Sequence, residues 1–357
     1  MKKIIKHSLI TILILALLTT ILILAFYKRA DQTGYILGPV EDYTQKENIW
    51  TVPYGNNATS KLDNMNIDYN SDLIRSAMKF WDILTGDYKD VEKDIDTLTY
   101  YYEIKGGYEK TTYEDEPYII PYLTNKSNKS VIIISGGGFI YKSMDGETKE
   151  SKDVALELNN QGINAFLLHY RSNPYEWPIS YLDLQRAIRY IRYNSEKYQI
   201  DKDDISVIGF SAGGNVVSTY INQIMGKDLL NENYTKDDID LEDDTITKAA
   251  MIYPAINFNN NPTMLFAMFP SKDVKDDQTR INLLDKTNNI KHFSSSNIKQ
   301  YISYGGKDRM VGTEEINKYI KKCEETNTNI TKNYLANEGH GFETKKYIDN
   351  YIKWLQE

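Results

Sequence analysis

The apolar run Ile205–Phe210 leads into Gly209-x-Ser211-x-Gly213, with a further glycine at Gly214. A serine between glycines at a predicted strand-to-helix turn has two readings. It is a tight turn, or it is a nucleophile whose hydroxyl is presented on a strained backbone. A hydroxyl does acyl-transfer chemistry only with a base, a group that orients the base, and donors for the oxyanion. The helix expected behind Ser211 would add unpaired N–H groups and a partial positive charge near the reacting centre.

Candidates for the other parts stand in a telling order. Ser135-Gly136-Gly137-Gly138-Phe139 directly follows the apolar run Val131–Ile134. Consecutive glycines there let backbone N–H groups approach a site closely. The spacings G-x-x-x-x-G-K-[ST] and G-x-G-x-x-G are both absent, which weighs against a phosphate loop. The amides of Gly137 or Gly138, with that of Ala212, suit an oxyanion site better. Downstream, Tyr304-Gly305-Gly306-Lys307-Asp308 places an acid after one predicted strand, and Gly339-His340-Gly341-Phe342 follows the next. The chain has four histidines, of which His7 lies in the leader, His169 ends a core strand and His292 sits in an irregular stretch. His340, between glycines, is the expected base. Glu314 and Glu315 rival Asp308 as its partner but belong to the following helix. Ser211…Asp308…His340 is the chain order of an α/β-hydrolase triad.

These residues require a frame. From about residue 130, short apolar runs alternate with helical patterns: strands at 131–134, 164–170, 205–210, 248–253, 300–304 and 332–335, and helices at 151–160, 181–193, 216–225, 314–325 and near the C-terminus. That rhythm predicts a mostly parallel sheet with helices on both faces. Residues 31–130 fit it less well, and Tyr-rich stretches such as Leu98–Ile104 read as antiparallel strands at one sheet edge. Asp228–Thr247 reads as a surface loop and Phe258–Phe293 as a lid or pocket insertion. The expected organisation is a leader at 1–30, an extension at 31–97 and an α/β domain at 98–357.

SGGGF, YRSNPYEWP, LDLQRAIRYIR, GFSAGG, YGGKD and GHGF, in this order, resemble the esterase/lipase-type α/β-hydrolases. That group includes hormone-sensitive-lipase-like and acetyl or feruloyl esterase-like enzymes. The resemblance covers about residues 98–357. It implies an α/β-hydrolase fold and a serine-dependent carboxylic ester hydrolase needing no metal or organic cofactor. It implies Ser211 as nucleophile, His340 as general base and acid, Asp308 as its orienter, and the Gly137, Gly138 and Ala212 amides as oxyanion donors. Asp183 matches a position that looks structural in such enzymes. Ser135 stands where many members carry histidine, a change that spares the backbone donors. Two other readings use the same residues: a serine peptidase of prolyl-oligopeptidase type, for which no propeller-like repeat array precedes the domain, and a non-catalytic binding module.

Composition sets the remaining bounds. Of the 357 residues, 41% are apolar and 26% charged, which is globular. Outside residues 1–30 there are 37 basic and 50 acidic residues, a net of −13 that argues against nucleic-acid binding. Cys323 is the only cysteine, so an internal disulfide and a cysteine-based metal cluster are excluded. Its spacing from Ile316 and Ile320 puts it on the buried face of a helix. Lys2, Lys3 and Lys6 precede the uncharged run Leu9–Tyr27, which as a helix would span roughly 28 Å, close to a bilayer core. The expectation is a single-pass membrane anchor at 9–27 with the enzyme outside, the alternative being a cleaved signal. The substrate is expected to be a small or glycan-linked ester. Oligomeric state is not set by the sequence.

Overall fold

The computed structural model describes residues 2–33, 45–55, 117–124, 126–139, 150–172, 175–294 and 297–357. Eight strands make one sheet: β1 (Glu47–Asn48), β2 (Tyr118–Tyr122), β3 (Ser130–Ile134), β4 (Asn164–His169), β5 (Ile205–Phe210), β6 (Lys248–Ile252), β7 (Lys299–Gly305) and β8 (Ile330–Leu335). Their order is β1-β2-β4-β3-β5-β6-β7-β8. β3 to β8 run parallel, while β1 and β2 add an antiparallel edge. This is the mostly parallel sheet expected from the alternating pattern, and the α/β-hydrolase architecture that the resemblance implies.

The central strands β3, β4, β5 and β6 are buried along their whole length because both faces of the sheet are covered there. Successive residues of β3 alternate between two cores, with Ile132 and Ile134 in one and Val131 and Ile133 in the other. Helices α1 (Lys2–Thr33), α2 (Lys152–Asn160), α3 (Ile179–Tyr193), α4 (Ala212–Thr219), α5 (Thr313–Glu325) and α6 (Ile348–Gln356) follow in chain order. α3, α4 and α5 cover the first core, and α2 and α6 the second. Cys323 lies on the buried face of α5 as its spacing predicts. Burial pushes its thiol up to about 12.

Three expectations need adjusting, and a fourth falls on residues that are not described. The helix after Ser211 begins at once, at Ala212, and passes into a π-turn over Tyr220–Ile224. Its early start follows from Gly213 and Gly214, which admit close backbone contacts where side chains would collide. The acidic stretch 228–247 is more than a surface loop: Asp240 and Asp244 are buried and a short 3₁₀ helix covers Asp238–Leu241. Arg186 on α3 draws it in, bonding both oxygens of Asp237 at 2.6 Å and lying 2.7 Å from Asp240 Oδ1. Leu98–Ile104 lies outside the described residues; among those described, 47–48 and 118–122 form an antiparallel edge. As for the leader, it falls within α1. Among the described residues no helix is long and apolar enough to cross a membrane, so the structure lends no support to the anchor expected at 9–27.

Residues 45–55 pack onto the sheet domain through polar contacts. The Ile49 carbonyl accepts from Arg186 Nε at 2.7 Å and the Tyr54 carbonyl from Arg171 Nη1 at 2.6 Å. Trp50 Nε1 donates to Asp183 Oδ1 at 3.1 Å. Asp183 also receives the Arg171 guanidinium (Nη2 at 2.6 Å) and the Arg171 backbone N–H at 2.8 Å, with both side chains fully buried. Asp183 is thus a structural residue, as the resemblance implies.

Candidate active site

In an open parallel sheet the strand ends converge on one rim, and ligands bind there. The chain leaves β3 into Ser135–Phe139, β5 into Ser211, β6 into Tyr253, β7 into Asp308 and β8 into His340. The residues that follow these five strand ends therefore face one place.

Ser211 sits at φ 51°, ψ −113°, a conformation that non-glycine residues rarely adopt. Its neighbours explain how the turn is held. The Ser211 N–H donates to the Ile252 carbonyl at 3.0 Å, and the Ser211 carbonyl accepts from the N–H groups of Asn215 and Ala255, each at 3.1 Å. Asn215 is pinned in turn: its Nδ2 donates to the Ala255 carbonyl at 2.7 Å, and its Oδ1 accepts from Tyr181 Oη at 2.9 Å. Glycine is required at two positions by close approach. A Cβ on Gly209 would lie 2.2 Å from the Gly213 carbonyl oxygen, and one on Gly213 would lie 2.1 Å from that of Ile134.

From that turn Ser211 Oγ lies 2.8 Å from His340 Nε2. His340 Nδ1 lies 2.8 Å from Asp308 Oδ2, so the imidazole is hydrogen-bonded through both nitrogens. Asp308 is nearly buried, and its Oδ1 accepts from the N–H groups of Met310 at 2.9 Å and Val311 at 3.2 Å. The ring of Tyr253 packs against His340 with centroids 4.9 Å apart. The structure thus brings together Ser211, His340 and Asp308, the three residues singled out in the sequence.

The rivals fall elsewhere. Glu315 is buried against Asn257 Nδ2 at 2.5 Å and Lys318 Nζ at 2.8 Å. Burial acts to raise its carboxyl, but the bonds from Lys318 and Asn257 outweigh it and hold the group below its usual value. Glu314 pairs with Lys318. His169 is buried and stacked on Tyr118 with centroids 4.6 Å apart, and His292 bonds the Asp285 carbonyl at 3.0 Å. Neither joins the site.

Gly137 at φ 125° and Gly138 at φ 64° follow β3, and Ala212 is the first residue of α4. Among the described residues, no hydrogen bond takes up the N–H of Gly137, Gly138 or Ala212. A helix's first N–H groups have no intrahelical acceptor, which leaves that of Ala212 available. Ser135 is buried, and its carbonyl accepts from Tyr170 Oη at 3.0 Å. Among the described residues no group of three or more histidine, cysteine or acidic side chains could hold a metal. The expected lid segment contains a 3₁₀ helix at Pro262–Ala267 and helices at Ser271–Lys275 and Asp277–Lys286. It meets the site side through Met268, whose carbonyl accepts from the Trp177 N–H at 2.9 Å and whose sulfur lies 3.9 Å from Tyr181 Oη.

Sequence reasoning missed Glu150, Asn215, Tyr170 and Tyr253. Tyr253 carried a usable signal, since it directly follows β6 at the same rim. Glu150 carried none, because it sits just ahead of an ordinary surface helix.

The family BD-FAE matches residues 118–322, more than half of the chain. The chain is 36% identical over 109 residues to an endo-1,4-beta-xylanase B from Butyrivibrio fibrisolvens, covering 28% of this chain and 16% of that protein. It is 32% identical over 94 residues to an acetylxylan esterase from Xylanibacter ruminicola, covering 26% of this chain and 19% of that protein. The chain thus spans less than a fifth of the length of these two relatives. Among solved structures, an acetyl ester-xyloside bifunctional hydrolase from Caldicellulosiruptor lactoaceticus superposes with a TM-score of 0.55 at 25% identity, covering 68% of this chain and 85% of that one.

Proposed function

We propose that this chain, which belongs to the BD-FAE family, is a serine-dependent carboxylic ester hydrolase acting on small or carbohydrate-linked acyl esters. The observation that carries the reading is the unbroken hydrogen-bond path Ser211 Oγ–His340 Nε2, His340 Nδ1–Asp308 Oδ2, each link 2.8 Å. The carbohydrate-linked part of it is supported by the acetylxylan esterase and the acetyl ester-xyloside hydrolase among the similar proteins.

The reaction is two successive acyl transfers. His340 Nε2 accepts the Ser211 proton as Oγ attacks the ester carbonyl, giving a tetrahedral oxyanion beside the amides of Gly137, Gly138 and Ala212. Asp308 stabilises the imidazolium and fixes the ring's orientation. Collapse of the intermediate breaks the bond to the alcohol, which leaves with the proton from His340. Water, deprotonated by the same nitrogen, attacks the acyl-serine, and the carboxylic acid departs as Ser211 recovers its proton.

Ser211→Ala should abolish hydrolysis of short p-nitrophenyl esters with the fold retained, and undiminished turnover would overturn the reading. The base must be neutral to accept the serine proton, so turnover should fall towards acid pH. Turnover that does not fall towards acid pH would count against an imidazole base. Substrate class is read from acetyl, butyryl, longer-chain and feruloyl esters assayed side by side with acetylated xylan.

Location is a separate proposal that rests on the leader's sequence. The reading is an enzyme held at the outer face of the cell membrane, and what supports it is Lys2, Lys3 and Lys6 before an uncharged run at 9–27. Fractionation with protease accessibility on intact cells tests it, and activity confined to a protected soluble fraction would sink it.

A further inference from the structure

The Ser135–Gly136 peptide group immediately precedes Gly137 and Gly138, the two glycines read above as oxyanion donors. Both of its ends are held by side chains. Its carbonyl oxygen accepts from Tyr170 Oη at 3.0 Å, and its N–H donates to Glu150 Oε2 at 2.9 Å. The second carboxylate oxygen, Glu150 Oε1, accepts from Tyr253 Oη at 2.8 Å. The Tyr253 ring is the one packed on His340, and it also meets Phe342 edge-on at 4.8 Å. Glu150 thus ties the glycine loop on one side to the residue supporting the base on the other. It does so at close quarters. A Cβ placed on Gly136 would lie 2.7 Å from Glu150 Oε2 and 3.0 Å from Ser211 Cβ, so the carboxylate and the nucleophile flank one point.

Such a tie has a physical purpose. Gly137 and Gly138 both have positive φ, and glycine peptides reorient at little cost. Oxyanion donors help only if they already point at the developing charge. Restraint must therefore come from outside the glycines, and a hydrogen bond to a carboxylate is stronger than one to a neutral acceptor. Burial, with the Glu150 charge beside it, pushes the Tyr253 hydroxyl well above its usual value, so it stays a donor.

We infer that Glu150 is a positioning residue for ester hydrolysis: it fixes the Ser135–Gly136 peptide plane, and through Tyr253 it holds the loop and His340 in register. The inference rests on the hydrolase reading above, and the wild-type chain is the control that separates the two. The full chain would be assayed as wild type, Glu150→Ala, Glu150→Gln, Tyr253→Phe and the Glu150→Ala/Tyr253→Phe pair. The readouts are kcat and KM for p-nitrophenyl acetate and the rate of Ser211 labelling by a fluorophosphonate.

Glu150→Ala is expected to lower kcat and labelling roughly ten- to a hundredfold with KM within about twofold. Glu150→Gln should recover most of this, because its carbonyl can take the Gly136 N–H while its amide donates to Tyr253 Oη. The pair should be no worse than Glu150→Ala alone, since one tie serves both residues. Should the alanine variant unfold, Tyr253→Phe reads the same link by loss of a hydroxyl, with an expected fall of about threefold or more in kcat. Wild-type kcat in Glu150→Ala, or a glutamine variant as impaired as the alanine one, overturns the inference and leaves the hydrolase reading standing. A wild-type chain that is not labelled overturns both.

Discussion

His340 Nδ1 lies 2.8 Å from Asp308 Oδ2, while the other oxygen of that carboxylate is occupied by the backbone N–H groups of Met310 and Val311. The acid is therefore aimed by its own loop before the imidazole arrives, and one oxygen is left to orient the ring. Asp308→Asn should keep the fold but favour the wrong tautomer of His340, lowering kcat on the order of a thousandfold. Glu315→Gln, which disturbs a buried contact away from the site, should leave kcat within about threefold. Steady-state kinetics on the two variants checks the assignment, and equal losses would refute it.

The Ser211 backbone, at φ 51° and ψ −113°, is held in a conformation suited to glycine. Ser211→Gly should therefore raise stability by about 1 kcal/mol while abolishing turnover. Ser211→Ala, equally inactive, keeps the strain and should change stability little. Thermal melts of the two variants make the comparison. A glycine variant less stable than the alanine one would show that the turn is not strained.

Arg171 and Asp183 are fully buried and bonded to each other, to Trp50 and to the Tyr54 carbonyl. Asp183→Ala would leave the guanidinium buried without its counter-charge, at a cost of about 3–5 kcal/mol. It should also loosen residues 45–55, since Trp50 loses its acceptor. Denaturant unfolding and limited proteolysis within 45–55 would report the two effects. A loss below about 1 kcal/mol would mean that the pair is not a structural anchor.

Acid sensitivity has a readable sign at Asp237. The Arg186 guanidinium holds the Asp237 carboxyl below the usual aspartate range in the folded chain. A folded value below the unfolded one, about 3.9, means that its contribution is present above that pH and fades as pH falls through the folded value. Asp237→Asn should thus be less stable than wild type at neutral pH, and the two should converge below about pH 4. Chemical denaturation across pH 2 to 7 measures it, and a gap that widens towards acid would contradict the assignment.

Much of the frame is legible in local pattern. β5 was readable from Ile205–Phe210 because a strand covered on both faces is a continuous apolar run between turn residues. α3 was readable from Tyr181, Leu184, Ile188 and Ile191, whose spacing marks one helical face. The 228–247 stretch misled because its acidic composition is that of a solvated loop. Its partner, Arg186, lies 51 positions from Asp237, beyond the reach of any periodicity.

The sequence by itself determined the strand–helix alternation, the glycines that crowd the Ser211 turn, and the order Ser211, Asp308, His340. These follow from residue type and short spacing, which fix backbone conformation one element at a time. Only the tertiary structure decided that Asp308, and not Glu314 or Glu315, meets His340. It alone brought His340 to Ser211 across 129 positions, and set Glu150 between the glycine loop and Tyr253. Such contacts depend on which strand ends lie side by side on the sheet rim. Strand order is set by how the whole chain packs its two cores, and no single segment carries it.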